Sequence, residues 1–213
     1  TSLFLEHNVI VGGFTLSAGL LANRNTALDG KFRLYPGVDV SYRPNDEWKV
    51  YASWNRALRV PTYTDLYTNN AVQQGDIALR PEKNEAFKVG TRYRTHGFEA
   101  LLSGFYSKGT DIIDWVYPTA VSKKYQAMNI GKLDNMGYSV DAALHLQELL
   151  PEFFITRIKA GYAFIHQQHS TDGDVYGSLY ALEYLRPNAT LRVDHRIWRQ
   201  RTASWALRWQ ERM

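Results

Sequence analysis

The sequence predicts an all-β fold: an antiparallel up-and-down transmembrane β-barrel, present as a part of about ten strands of a larger barrel. Three observations lead there. Apolar and polar residues alternate in segment after segment, the alternating segments are too long for an ordinary globular sheet, and the connections between them switch regularly between short and long.

The alternation can be followed along the chain. Val38, Val40 and Tyr42 oppose Asp39, Ser41 and Arg43, and Trp48, Val50, Ala52 and Trp54 oppose Lys49, Tyr51, Ser53 and Asn55. Phe87, Val89 and Tyr93 oppose Lys88, Gly90 and Arg92, with Thr91 the one polar residue on the first face. Further on, Tyr138, Val140, Ala142 and Leu144 oppose Ser139, Asp141, Ala143 and His145, and Ile158, Ala160, Tyr162 and Phe164 oppose Arg157, Lys159 and Gly161. Leu191, Val193 and Ile197 oppose Arg192, Asp194 and Arg196, and Ala203, Trp205, Leu207 and Trp209 oppose Thr202, Ser204, Arg208 and Gln210. The segments 98–117 and 125–149 read as still longer strands, and no segment reads as a helix.

Strands that cross a bilayer need roughly 9–11 tilted residues, whereas globular strands centre near 5–6. The short connections fall at Val11-Gly12-Gly13, Pro44-Asn45-Asp46, Thr95-His96-Gly97, Leu150-Pro151-Glu152 and Arg199-Gln200. The long ones fall near 25–33, 58–83, 118–124 and 169–183. Tight turns at one rim and long loops at the other produce this rhythm. Aromatic residues at strand ends (Trp48 and Trp54, Trp115 and Tyr117, Trp205 and Trp209) predict two interfacial girdles. The charged faces suit the wall of a wide barrel better than the filling of a small one, so further strands are expected before Thr1 and after Met213.

Composition excludes several alternatives. With no cysteine, neither a disulfide framework nor a thiolate metal site is available. A net charge of +4, spread along the chain, argues against a nucleic-acid surface. No stretch approaches the roughly 20 apolar residues of a transmembrane helix. Catalytic constellations are absent as well: there is no nucleophile elbow and no phosphate-binding loop, and Asp111 and Asp114 have no recognisable partner base. No cofactor is expected, and the chain does not read as an enzyme.

Two punctuated stretches flank one long loop, "RVPTYTDLY" at 59–67 and "LRPEKNEAF" at 79–87. Pro61 and Pro81 hold the backbone extended where strand gives way to loop, and Asp65 and Glu82 have the charge to pair with Arg59 or Arg80 and brace the loop base. Tyr63 and Tyr67 remain for contact with a ligand. His166 and His169, followed by Asp172 and Asp174, are the one cluster with metal or haem potential, but on a strand the two histidines face opposite sides, and no metal site is assigned.

"SWNRALRVPTYTDLYT" and "GDIALRPEKNEAFKVGTRYR" together resemble the C-terminal half of the barrel of TonB-dependent outer-membrane receptors. The matching residues are Arg59, Pro61, Thr62, Tyr63, Asp65, Leu66 and Tyr67, then Leu79, Pro81, Glu82, Phe87 and Gly90; "GFYSKGTDIIDWV" and "AMNIGKLDNMGYSVDAAL" extend the likeness over most of the chain. The resemblance implies a 22-stranded barrel whose plug domain and first strands lie outside these residues. It also implies active uptake, driven by the TonB complex, of a scarce large ligand such as a ferric siderophore, haem or cobalamin. The implied partners are the TonB complex, the plug, the lipid bilayer and a small-molecule or metal-chelate ligand. A passive porin-like barrel and a soluble β-rich binding domain stay open as alternatives.

Overall fold

The computed structural model describes residues 1–24, 30–171, 177–178, 185–198 and 201–212. The elements are β1 (Ser2–Val11), β2 (Phe14–Arg24), β3 (Phe32–Tyr42), β4 (Trp48–Arg59), α1 (Tyr63–Tyr67), β5 (Gln73–Gln74), β6 (Glu82–Thr95), β7 (Phe98–Thr110), β8 (Ile113–Tyr117), β9 (Tyr125–Asn129), β10 (Gly131–Leu144), α2 (Leu146–Leu149), β11 (Ile155–Thr171), β12 (Gly177–Ser178), β13 (Leu185–Trp198) and β14 (Arg201–Arg212). Ten of the strands form one antiparallel wall in the order β1-β2-β3-β4-β6-β7-β10-β11-β13-β14. Once the four short strands are set aside, each wall strand pairs with its neighbour in sequence, as an up-and-down barrel requires. Wall strands run from 10 to 17 residues, long enough to cross a bilayer at a tilt.

Register separates the two faces cleanly. Trp54, Phe87, Tyr106 and Met136 are cross-strand partners on one face, and Ala52, Val89, Gly104 and Tyr138 form the next row of that face. On the other face Lys49, Arg92, Leu101 and Asp141 line up, and Lys159 meets Arg192. Here Arg157 donates to Asp194 Oδ2 through Nε at 2.8 Å and Nη2 at 2.7 Å, while Arg192 Nε donates to Asp194 Oδ1 at 2.9 Å. The first face is apolar and exposed because lipid is its solvent; the second is polar and faces the lumen.

At the short-turn rim, Asn45 Oδ1 accepts from the amides of Glu47 and Trp48, closing the β3–β4 connection. The Glu148 carboxylate of α2 accepts from the Gly97 amide at 3.0 Å and so ties two adjacent connections together. Rings meet at this rim, Phe14 stacked on Tyr42 with centroids 4.2 Å apart and Trp48 tilted against Tyr93 at 4.7 Å. The girdle expected there is present, and Trp205 and Trp209 also stand exposed on the apolar face.

Three expectations need correction. The chain does form helix, in two single turns, α1 and α2. The long strands expected over 98–117 and 125–149 each break in two, because Asp111 takes φ 56° and Gly131 φ 107°, and these kinks swing the outer halves β8 and β9 out of the wall. Trp115 and Tyr117 accordingly belong to no membrane girdle, and Trp115 is buried among loop residues.

Candidate functional site

The long-loop rim carries a second sheet in the order β12-β8-β9-β5, drawn from three different connections. Antiparallel pairs join β8 to β9 and β12 to β8, while β5 lies parallel to β9. Under this cap sits a core of Leu79, Ile113, Trp115 and Ala127, with Leu66 and Tyr125 packed against it; Val116 and Ile130 form a second small core with Ile112.

The motif residues are what fasten the cap to the wall. Arg59 and Glu82 are cross-strand partners at the tops of β4 and β6, and Arg59 Nη2 donates to Glu82 Oε1 at 2.7 Å. The same Glu82 oxygen accepts from the Ile113 amide at 2.8 Å, so one carboxylate links two wall strands to the first residue of the cap. Arg59 Nη1 also lies 3.7 Å from Asp65 Oδ2. Pro61 and Pro81 are both buried at this junction, and Leu79 is a core residue of the cap. Arg80 turns from these acids to Asp111, at 2.8 Å.

Thr62 and Asp65 form a reciprocal cap on α1. The Asp65 amide donates to Thr62 Oγ1 at 3.1 Å, and the Thr62 amide donates to Asp65 Oδ2 at 2.9 Å. This is the pattern that lets a single turn of helix persist in a loop. Gly75 lets the returning chain pass against that turn, since a Cβ there would lie 2.7 Å from the Asp65 carbonyl oxygen. In the wall, Gly90 leaves room for the Tyr51 ring to lie across it, and Lys88 Nζ sits 6.0 Å from the centre of that ring.

With Asp65 buried, Tyr63 and Tyr67 project from the opposite side of α1, 79% and 56% exposed, with ring centroids 4.7 Å apart. A second pair, Tyr117 and Tyr125, lies with tilted rings and centroids 4.0 Å apart within the cap. Partial desolvation, then the hydroxyl contact with Tyr125, hold Tyr117 above the usual phenol range. His166 and His169 both lie on β11, where their partners are Met136 and Leu133, so they occupy opposite faces and do not converge. No cluster of ligating side chains capable of holding a metal occurs among the described residues. Asp172 and Asp174 lie outside the described residues.

Asp111 and Asp114 have structural partners. Asp111 pairs with Arg80 and with Lys83 at 3.5 Å, and buried Asp114 accepts from Ser178 of β12 and from the Trp115 amide. Asn129 is a site residue that sequence reasoning missed: it accepts from the Arg80 amide at 2.9 Å and donates to the carbonyls of Arg80 and Asp111. No local pattern marks it, because its partners lie 49 and 18 residues away. The α1 turn did carry a signal in Thr62-x-x-Asp65.

A family model described as TonB dependent receptor-like, beta-barrel, matches residues 1–212. The chain belongs to the TonB-dependent receptor family. Such receptors are outer-membrane proteins of Gram-negative bacteria, and the ten-stranded wall is a portion of such a bilayer-spanning barrel. Among solved structures, the FrpB iron transporter of Neisseria meningitidis (F3-3 variant) superposes with a TM-score of 0.71 at 21% identity, covering 97% of this chain and 32% of that one. A mutant ferric enterobactin receptor, PfeA, of Pseudomonas aeruginosa gives 0.75 at 18% identity, covering 98% and 32%. The copper transporter OprC gives 0.73 at 19% identity, covering 97% and 34%. The chain thus spans about a third of the length of these structures, and the likeness shows the barrel fold. No curated protein matches the chain.

Proposed function

We propose that this TonB-dependent receptor barrel captures a large metal chelate at its long-loop rim for import driven by the TonB complex. The observation that carries the reading is the exposed Tyr63–Tyr67 pair, held on a capped turn whose other side is fastened to Arg59, Glu82 and the cap core. Rigid aromatic rings bind flat ligands at small entropic cost, because few rotatable bonds are frozen on binding. A ferric siderophore fits this chemistry first, with haem and cobalamin as the next candidates. The solved relatives are an iron transporter, a ferric enterobactin receptor and a copper transporter, which favours a metal cargo. Lys88, Arg92, Arg157, Lys159, Arg192 and Arg196 line the lumen, where an acidic or polar plug surface would meet them.

The test is ligand binding to the intact protein with both tyrosines replaced. Tyr63→Ala with Tyr67→Ala weakens binding of the cognate chelate on the order of tenfold or more, the scale of a lost aromatic anchor. Affinity unchanged for ferric siderophores, haem and cobalamin alike overturns the capture role. Uptake that persists in cells lacking TonB overturns the energy source.

A further inference from the structure

The lumen face of β1–β4 is hollowed just below the long-loop rim. The hollow has a volume of about 430 Å³, and Phe4, Glu6, Tyr35, Asp39 and Asn55 are in its lining. Its floor is glycine: Glu6 pairs with Gly19, Gly19 with Gly37 and Gly37 with Asn55, so two positions of one lumenal row carry no side chain. A Cβ on Gly19 would come no closer than 3.5 Å to the Phe4 ring, and one on Gly37 no closer than 3.6 Å to Asn55, so the space above both is open. Asn55 shares its side of β4 with Lys49 and Arg59, which places the hollow inside the barrel.

The rows on either side complete it. One row nearer the rim, Leu21 pairs with Phe4 and with Tyr35, so two rings stand at the entrance. One row deeper, Asp39 pairs with Ser17 and with Ser53. The central row runs on from Asn55 through Ala86 and Ser107 to Asn135 without a charge, and Asn135 Oδ1 is buried with no hydrogen-bond partner among the described residues.

The charge of the hollow is one-sided. Glu6 Oε1 accepts from Ser17 Oγ at 3.1 Å and from Asn8 Nδ2 at 3.3 Å, neutral donors that hold the carboxylate without cancelling it. Neither Glu6 nor Asp39 closes an ion pair among the described residues. The neighbouring cations are directed elsewhere. Arg56 carries its guanidinium on the lipid side, beside Glu85 and over Trp54, and Arg59 is held by Glu82 and Asp65. Lys88 is separated from Asp39 by Ser53 and places Nζ 6.0 Å from the Tyr51 ring centre, while Arg33 does not line the hollow. An entering anion would meet two carboxylates and the electron-rich faces of two rings, with no cation turned toward it. An uncharged polar group meets no such repulsion and finds in Asn55 both a donor and an acceptor.

We propose that this hollow is a second station for the cargo, one that accepts a metal chelate without net negative charge and with an amide- or hydroxyl-bearing periphery, and repels anionic chelates. The inference rests on the capture reading given above and narrows it: of the cargoes that suit the rim tyrosines, it selects the uncharged ones.

The test is equilibrium dialysis of chelates against the intact protein in mild detergent. The probes are ferrichrome, an uncharged ferric trihydroxamate; cyanocobalamin, also uncharged; the trianionic tris-catecholate ferric enterobactin; and haem, anionic through its propionates. At least one uncharged chelate binds on the order of tenfold more tightly than either anionic one. Glu6→Gln with Asp39→Asn strengthens binding of the anionic chelates on the order of tenfold and leaves the uncharged ones within about twofold. Gly19→Val with Gly37→Val, which fills the hollow, weakens the uncharged chelate on the order of tenfold although Tyr63 and Tyr67 are intact. Folding of each variant is read from the heat-dependent gel mobility of the barrel, and the charge variant decides alone if the filled one does not fold. An anionic chelate bound as tightly as the uncharged ones, or unchanged affinities in either folded variant, overturns the proposal and leaves capture by the tyrosines standing. Binding of none of the four overturns the capture reading and this station with it.

Discussion

On β6 and β7, Val89 and Leu102 stand 57% and 51% exposed, whereas a few residues past the end of β7, Val116 and Trp115 are 0% and 5% exposed. One stretch of chain thus passes from a wall with no interior of its own into a cap built around a dry core. The wall can leave its apolar side chains uncovered because the bilayer is an apolar solvent and every inner strand is hydrogen-bonded on both sides. The cap stands in water, where apolar groups gain only by covering one another. Alternation therefore means different things in the two places: lipid against lumen below the rim, core against solvent above it.

The sharpest way to break this comparison is to hollow out the cap. Trp115→Ala removes about 3–5 kcal/mol of cap stability. In the intact protein, β8, β9 and the 59–82 loop then exchange amide protons and admit protease while the wall strands stay protected; wall strands that open together with the cap would show that the two are one cooperative unit. Next in size, Val89→Arg costs about 2–4 kcal/mol for folding into lipid vesicles. The adjacent lumenal change, Lys88→Ala, stays within about 0.5 kcal/mol. Urea titration of vesicle-inserted protein measures both, and equal costs would erase the distinction between the faces. The smallest effect is at the cap's edge, where Thr62→Ala removes the acceptor for the Asp65 amide and weakens α1 by about 1 kcal/mol. Thr62→Ser retains it, and local hydrogen exchange at Asp65 and Leu66 separates the two variants.

The wall was legible in the sequence because its two environments imprint a period of two on every strand, as at Trp48, Val50, Ala52 and Trp54. The paired motif was legible as a brace, and Arg59, Asp65 and Glu82 do meet at the loop base. The partner of Arg80 was not, because Asp111 reaches it only after the chain kinks at φ 56°. That kink also hid the cap. The outer halves of two hairpin strands keep the wall's alternation while leaving its plane, and β5 and β12 join the β8–β9 hairpin across separations that no local window spans. Trp115 looked like a girdle residue for the same reason: an aromatic at a strand end reads alike whether the ring ends in lipid headgroups or in a loop core.

The shared oxygen of Glu82 has a consequence for assembly. A strand that slides by two residues keeps its lipid and lumen faces correct, so alternation alone cannot tell a shifted β6–β7 hairpin from the right one. Such a slide displaces Glu82 by about 7 Å along the strand, beyond reach of the Arg59 guanidinium on β4, while the Ile113 amide, which follows β7, travels with the hairpin. The Arg59–Glu82 pair fits only the observed register of β4 against β6, which makes "RVPTYTDLY" and "LRPEKNEAF" marks of that register.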